Sequence, residues 1–337
     1  MLRIVLAHDF LNRFGGAERV LQVLHERLPE APIYTLAADP RILVEHFPRA
    51  RVYTSWLQNV PAILQAPLIP TAVESIVLPE AELVVSSAGF MKGLITKPGV
   101  RHVSYVHSPV RYLWDWTHEY LLERGVTGVR AKAARVIFHY LRLWDFQAAQ
   151  RPELLIANSK TTQARIAKYY RRHAPIIYPP VRQLGAAHDP RPSSFVIPSH
   201  YDLIVSPLRH FKRIDIAVSA YTRIRRRLTV VGEGPALAHL KKLAGPTIRF
   251  LGWQPDHVVA YLLQHARTFV LPAAEDFGMA AVEAMLTGSP VLALRAGGAT
   301  ETVREGVTGE FFDDPSPEVL LAGLRRLEHN RSRLARP

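Results

Sequence analysis

Short apolar runs recur along the chain, each closed by a polar or glycine-containing turn and followed by a stretch with helical spacing. Leu2–Ala7, Ile33–Leu36, Arg51–Thr54, Leu83–Ser87, Arg101–His107 and Leu154–Ser159 read as strands. Most are apolar nearly throughout, which predicts a parallel sheet covered on both faces. Between them, 17–28 carries Val20, Leu21, Val23, Leu24 and Leu28 on one side and is stopped by Pro29. Residues 129–151 read as a long basic, aromatic helix, and 160–170 as a helix capped by Ser159. A proline-rich stretch from Tyr178 to Pro198 interrupts the alternation. It sets a linker at 181–197 between a first domain, 1–180, and a second, 198–337. The second half then restarts, with strands at Leu203–Ser206, Leu228–Val231, Ile248–Gly252, Thr268–Leu271 and Ser289–Leu294. Helices are expected from about Ile214, over 236–243 and from Phe277–Gly278. The fold class is α/β: two doubly wound Rossmann-like domains.

Composition narrows this picture only slightly. With 337 residues, 48% of them hydrophobic, the chain can bury two cores and is not disordered. It has no cysteine, which removes disulfides, zinc–thiolate sites and thiol nucleophiles together. No apolar run reaches the roughly 18 residues of a membrane span, and the N-terminal run is too short for a signal peptide. These features lead us to expect a cytoplasmic protein, or one at the inner membrane face. Against 29 Asp+Glu stand 42 Lys+Arg, a net charge of +13 that suits anionic partners without choosing among them.

The chemistry concentrates in Phe269–Val291. Glu283 sits inside the apolar stretch G-M-A-A-V-E-A-M-L, where a carboxylate costs several kcal/mol unless it is bound. The free N–H groups at the start of that helix, beside Glu275, suit phosphate. Together they fit a ligand with both phosphates and hydroxyls, such as a sugar nucleotide; the plainer alternative is a Glu satisfied within the fold. His107 ends a strand where ligands gather in open α/β sheets, and Gly15-Gly16 open a helix where a ligand can approach the backbone. Arg209, His210, Lys212 and Arg213 follow a strand, as a diphosphate site needs and as a solvated basic loop also does. Gly232-Glu233-Gly234 lacks the third glycine of a dinucleotide fingerprint and the Lys-Ser/Thr of a P-loop. Residues 129–151 combine basic side chains with Phe138, Tyr140, Leu143 and Trp144, a composition shared by membrane-surface helices and ordinary packed ones.

Glu275-Asp-Phe-Gly-Met-Ala-Ala-Val-Glu283 resembles the E-x7-E signature of retaining GT-B glycosyltransferases of family four. F-G-G-A-E-R-V at Phe14–Val20, Y-V-H-S-P-V-R-Y-L-W-D at Tyr105–Asp115, V-G-E-G-P at Val231–Pro235 and Gly297-Gly298-Ala-Thr-Glu301 are similar to that family in the same order. The resemblance spans nearly the whole chain. It implies a GT-B architecture whose domains face across a cleft, acceptor on the first and donor on the second. It implies that Glu275 faces the donor sugar, Glu283 holds the ribose, and Phe277, Gly278 and Met279 offer amides to sugar and phosphate. Further implied roles are Ser206 and Lys212 on the diphosphate, Gly234 in the adjoining loop, Trp253 near the base, Gly15 and Gly16 at the donor phosphate and acceptor, and His107 at the transferred sugar. Pro207 stands where the family carries arginine, and Arg209 is the nearest substitute. The family's C-terminal helical brace is expected to be short or absent.

The expected activity is retaining hexose transfer, with mannose suggested by the subgroup, from a nucleoside-diphosphate sugar to a glycan or lipid-linked acceptor. GDP and UDP remain open as the base, and no metal or other cofactor is expected, positive side chains replacing one. His107, Lys212 and Glu275 are the catalytic candidates. Peripheral contact with an anionic membrane is expected; nucleic acid is not, because the basic residues form no recognised module. The alternative is a non-catalytic sugar-nucleotide-binding or partner subunit. A dehydrogenase is disfavoured, since no full G-x-G-x-x-G follows the first strand.

Overall fold

The computed structural model describes residues 2–87, 89–182 and 200–334. The chain divides into two compact units, Met1–Pro180 and Val181–Pro337. Nearly all of the linker expected at 181–197 lies outside the described residues.

The first unit holds strands β1 (Ile4–Leu11), β2 (Ile33–Ala38), β3 (Val52–Thr54), β4 (Leu83–Ser87), β5 (Arg101–Val106) and β6 (Leu154–Ala157). They form one parallel sheet in the order β3-β2-β1-β4-β5-β6. β1 starts and ends later than its apolar pattern suggests. His8 and Asp9 interrupt the hydrophobic run, yet Phe10 and Leu11 still pair with Ala37 and Ala38 of β2. Pairing continues because backbone groups, not side-chain polarity, make the ladder.

The second unit repeats this topology with β7 (Asp202–Val205), β8 (Leu228–Val231), β9 (Ile248–Gly252), β10 (Thr268–Leu271), β11 (Val291–Leu294) and β12 (Gly309–Phe312). Their order is β12-β11-β10-β7-β8-β9, again parallel. Alternation fills both faces: Leu203, Phe269 and Leu271 enter one core, while Ile204, Val230 and Val270 enter the other. The helices Asp256–His265 and Pro317–His329, and the edge strand β12, are elements that the hydrophobic pattern did not bring forward. Gly297-Gly298 are followed by a single helical turn, Ala299–Thr302.

In each sheet the strand order reverses once, between β1 and β4 in the first and between β7 and β10 in the second. Connections leave such a pair to opposite faces, opening a crevice at the carboxyl ends where ligands bind.

Candidate functional site

In the second unit the loop after β7 and the loop after β10 flank that crevice. A 3₁₀ turn, His210–Lys212, ends with Arg213 in the left-handed region. It brings Lys212 Nζ within 2.5 Å of both carboxylate oxygens of Glu275. The pair is partly buried, with side chains 14% and 19% exposed. Gly278, with φ +86°, caps the following helix, Met279–Leu286, so its first amides lie beside Glu275. Phe277 and Glu283 are buried at the start and in the body of the same segment. Lys212, Glu275, Phe277, Gly278, Met279 and Glu283 thus occupy one side of one unit.

The surrounding glycines serve this geometry. Glu275 forms a parallel bridge with Gly297, and Gly298 donates its amide to the Glu275 carbonyl at 2.8 Å. A Cβ at Gly297 would overlap that carbonyl oxygen, and one at Gly298 would strike the backbone of Phe277. Gly297-Gly298 therefore seat Glu275 by close backbone approach. Gly232 and Gly234 do the same against the carbonyls of Ser206 and Leu208. This gives Gly234, expected at the donor, an interloop packing role.

The amides of Ser206 and Leu208 donate to Val231 and Glu233 across these loops. Position 207 falls between them, where an amide points away from the β8 loop, so proline loses no bond to it. Arg209 begins the 3₁₀ turn, and its guanidinium has no protein partner among the described residues. Trp253, expected near the base, is largely exposed at the end of β9, its amide donating to Glu233 at 3.3 Å.

The first unit has its own polar grouping at the β1/β4 crevice. Asp9 accepts the amides of Gly89, Phe90 and Met91, each at 2.8 Å, fixing the loop after β4. Burial raises the Asp9 pKa, against the pull of His8 and of these three amides. His8 Nε2 lies 3.5 Å from Glu18, and both side chains are buried. Burial pushes the Glu18 pKa up, but His8, a backbone amide and Arg13 together pull the carboxyl below its usual range. His107 Nε2 is 2.9 Å from Ser87 Oγ. Burial drives the His107 pKa down to about 3, His8 adding to the effect and Glu18 opposing it. His107 is thus a neutral ring near pH 7, able to exchange hydrogen bonds but not to carry charge.

Gly15 caps the helix Gly16–Arg27 with an extended backbone, φ −152°, that any residue adopts. Its missing Cβ leaves open the space next to Glu18. Asp9, Glu18 and Ser87 are the polar residues that motif reading passed over, although H-D-F at the end of the first strand was a visible signal. Among the described residues no cluster of three His, Asp or Glu side chains is arranged to hold a metal.

Beneath this grouping lies a fully buried ion pair. Lys92 binds Asp145 and the carbonyl of Gly89, while Asp145 also accepts from Trp114 Nε1 at 2.7 Å and Tyr170 OH at 2.9 Å. One carboxylate thereby ties together segments that follow β4, β5 and β6.

Comparison with known proteins bears on both the fold and the chemistry. Residues 199–337 match the family model "Glycosyl transferases group 1". The match covers the second unit, with Lys212, Glu275 and Glu283 inside it. Sulfoquinovosyl transferase SQD2 of Arabidopsis thaliana is 34% identical over 126 residues, which is 36% of this chain and 25% of that protein. The GDP-mannose-dependent α-(1-6)-phosphatidylinositol dimannoside mannosyltransferase of Mycobacterium tuberculosis is 37% identical over 117 residues, 33% of this chain and 30% of that protein. The chain spans about a quarter to a third of the length of these curated relatives. Among solved structures, Anabaena HepE in complex with UDP superposes with a TM-score of 0.69 at 20% identity, covering 98% of this chain and 91% of that one. Sucrose-phosphate synthase from Thermosynechococcus elongatus gives 0.72 at 18% identity, covering 98% and 91%. The two Rossmann-like units are therefore those of a GT-B fold.

Proposed function

We propose that the protein is a glycosyltransferase that moves a hexose, mannose being the first candidate, from a nucleoside-diphosphate sugar to a hydroxyl of a glycan or lipid-linked acceptor, with retention at the anomeric carbon. The observation that carries this reading is the joining of Lys212, Glu275 and the Gly278 helix start at the switch point of the unit that matches group 1 glycosyl transferases. The names of the relatives leave the base open, since one uses GDP-mannose and HepE binds UDP.

In this reading the second unit takes the donor. Lys212, Arg209 and the amides at Gly278 and Met279 receive the diphosphate, so that positive charge awaits the leaving oxygen and no metal is required. Lys212 exchanges Glu275 for phosphate as the donor binds, which frees the Glu275 carboxylate for the sugar hydroxyls. Glu283 receives the ribose, and the loop at Trp253 the base. The acceptor oxygen bonds to the anomeric carbon as the bond to the diphosphate oxygen breaks, and the acceptor proton passes to that oxygen. In the first unit His107 offers a neutral ring nitrogen to a sugar hydroxyl, and the Gly15–Gly16 loop admits the acceptor.

A thermal-shift series with GDP, UDP, ADP and their sugars, each with and without EDTA, tests the donor half by mass action. One nucleotide is expected to raise the melting temperature, with no effect of EDTA and no rise in Glu283→Ala. Absence of any shift in a folded sample overturns the reading. The second reading, a non-catalytic sugar-nucleotide-binding subunit, is favoured by Pro207 in place of the family arginine. It predicts the shift without transfer of radiolabelled sugar to membrane-extracted acceptors.

A further inference from the structure

The long helix Gly128–Ala148 buries Ala131, Phe138, Leu141, Asp145 and Ala148 against the first unit. Phe138, grouped by composition with the surface aromatics, belongs to this inner face, and Trp144 is held inward by its bond to Glu74 at 2.7 Å. The outer face is nonetheless apolar. Val129 is 80% exposed, Val136 57%, Tyr140 66% and Leu143 54%. Their spacing of 7, 4 and 3 residues sets them on one stripe about 21 Å long, at 1.5 Å per residue. Arg130, Lys132, Arg135 and His139 are exposed on the same helix. Its single acid is Asp145, which is buried in the Lys92 ion pair and contributes no outward negative charge.

Four large apolar side chains in a row on a free helix face are unusual for a surface that meets only water. Basic residues without acids among them match one kind of occupant in charge as well as polarity. We infer that this face lies in the interfacial zone of an anionic lipid bilayer, apolar stripe inward and basic side chains at the headgroups. The helix is amphipathic around its circumference and lies along the surface; no helix among the described residues is long and apolar enough to cross a membrane. The inference rests on this face alone and is independent of the transferase reading.

Co-sedimentation of the full chain with phosphatidylglycerol vesicles and, separately, phosphatidylcholine vesicles tests it. Binding is expected for phosphatidylglycerol, weakened by salt, and at least about tenfold weaker for phosphatidylcholine. Val136→Ser/Tyr140→Ser/Leu143→Ser removes only exposed side chains, so its melting temperature should stay near that of the parent while vesicle binding falls roughly tenfold or more. Lys132→Glu/Arg135→Glu should lose binding to phosphatidylglycerol selectively. Equal binding to both lipids, binding untouched by either variant, or no binding would overturn the inference. So would light scattering that shows a dimer dissolved by the triple serine variant, which would assign the stripe to a second copy. Nucleotide-induced thermal shift serves as the separate control: it reports the site in the second unit and should be the same in both variants.

Discussion

Lys212 and Glu275 hold each other in a partly buried pair, so removing one partner has two consequences. Lys212→Met should lower turnover by about 10²- to 10³-fold, the usual effect of deleting one charge-stabilising donor, and should also reduce the nucleotide-induced thermal shift. Glu275→Gln should lower turnover while leaving the shift produced by the nucleotide alone largely intact, since its proposed contact is with the sugar. Comparing shifts with nucleoside diphosphate and with its sugar separates the two. His102 supplies a prediction that does not depend on function. Its ring lies buried against Ser86 Oγ at 2.9 Å, and burial lowers its pKa to about 4, against a small opposing effect of Glu153. The unfolded chain takes up this proton near pH 6.5. As the pH falls from 6.5 towards 4, the unfolded state therefore binds more protons, and stability drops by about 1.4 kcal/mol per pH unit. Urea unfolding at pH 6.5 and 5 should differ by roughly 2 kcal/mol from this group, and His102→Gln should flatten that slope. Single residues were the least legible part of the sequence. E-x7-E marked Glu275 and Glu283, but nothing local announced that Lys212, 63 residues earlier, would bind the first of them.

Elements were easier to read, because strands buried on both faces must be apolar throughout and so signal themselves. β4, β8, β9 and β10 occupy the ranges that the pattern gave. Where a strand carries polar residues for a site, as at His8 and Asp9, or sits short at an edge, as β12 does, the signal fades. The glycine motifs were visible, but their physical role was not. Gly298→Ala should force the Asp276–Phe277 backbone away from residue 298, lowering the melting temperature and the nucleotide shift together; a variant with unchanged shift would show that this backbone contact does not seat the site. In the first unit, Asp145 ties three segments to one carboxylate. Asp145→Asn leaves Lys92 charged and buried without its counter-ion, a loss of about 3–5 kcal/mol by analogy with other broken buried pairs. Replacing both charges, as Lys92→Met/Asp145→Asn, should recover much of that stability because the desolvation cost disappears, while amide exchange across Gly89–Gly93 speeds up. The pair is invisible in sequence: 53 residues separate a lysine in a turn from an aspartate in a basic helix.

At the scale of the molecule, two sheets of the same topology each enclose their own cores, and among the described residues no strand passes from one sheet to the other. Units built this way can melt as separate cooperative blocks. The proposed donor residues Ser206, Lys212, Glu275 and Glu283 all belong to the second unit, whereas Asp145 and His102 belong to the first. Differential scanning calorimetry of the full chain should therefore resolve two transitions with distinct responses. A saturating nucleotide should raise only the transition of the second unit, by RT ln(1 + [L]/Kd), about 2.7 kcal/mol at a hundredfold excess over Kd. Asp145→Asn should lower only the other. Should both perturbations move a single transition, the units unfold as one block, and the ligand stabilises residues well beyond those proposed to hold it. Should the nucleotide raise the transition that Asp145→Asn lowers and leave the other in place, the donor site belongs to the first unit, and Lys212 and Glu275 are a structural pair.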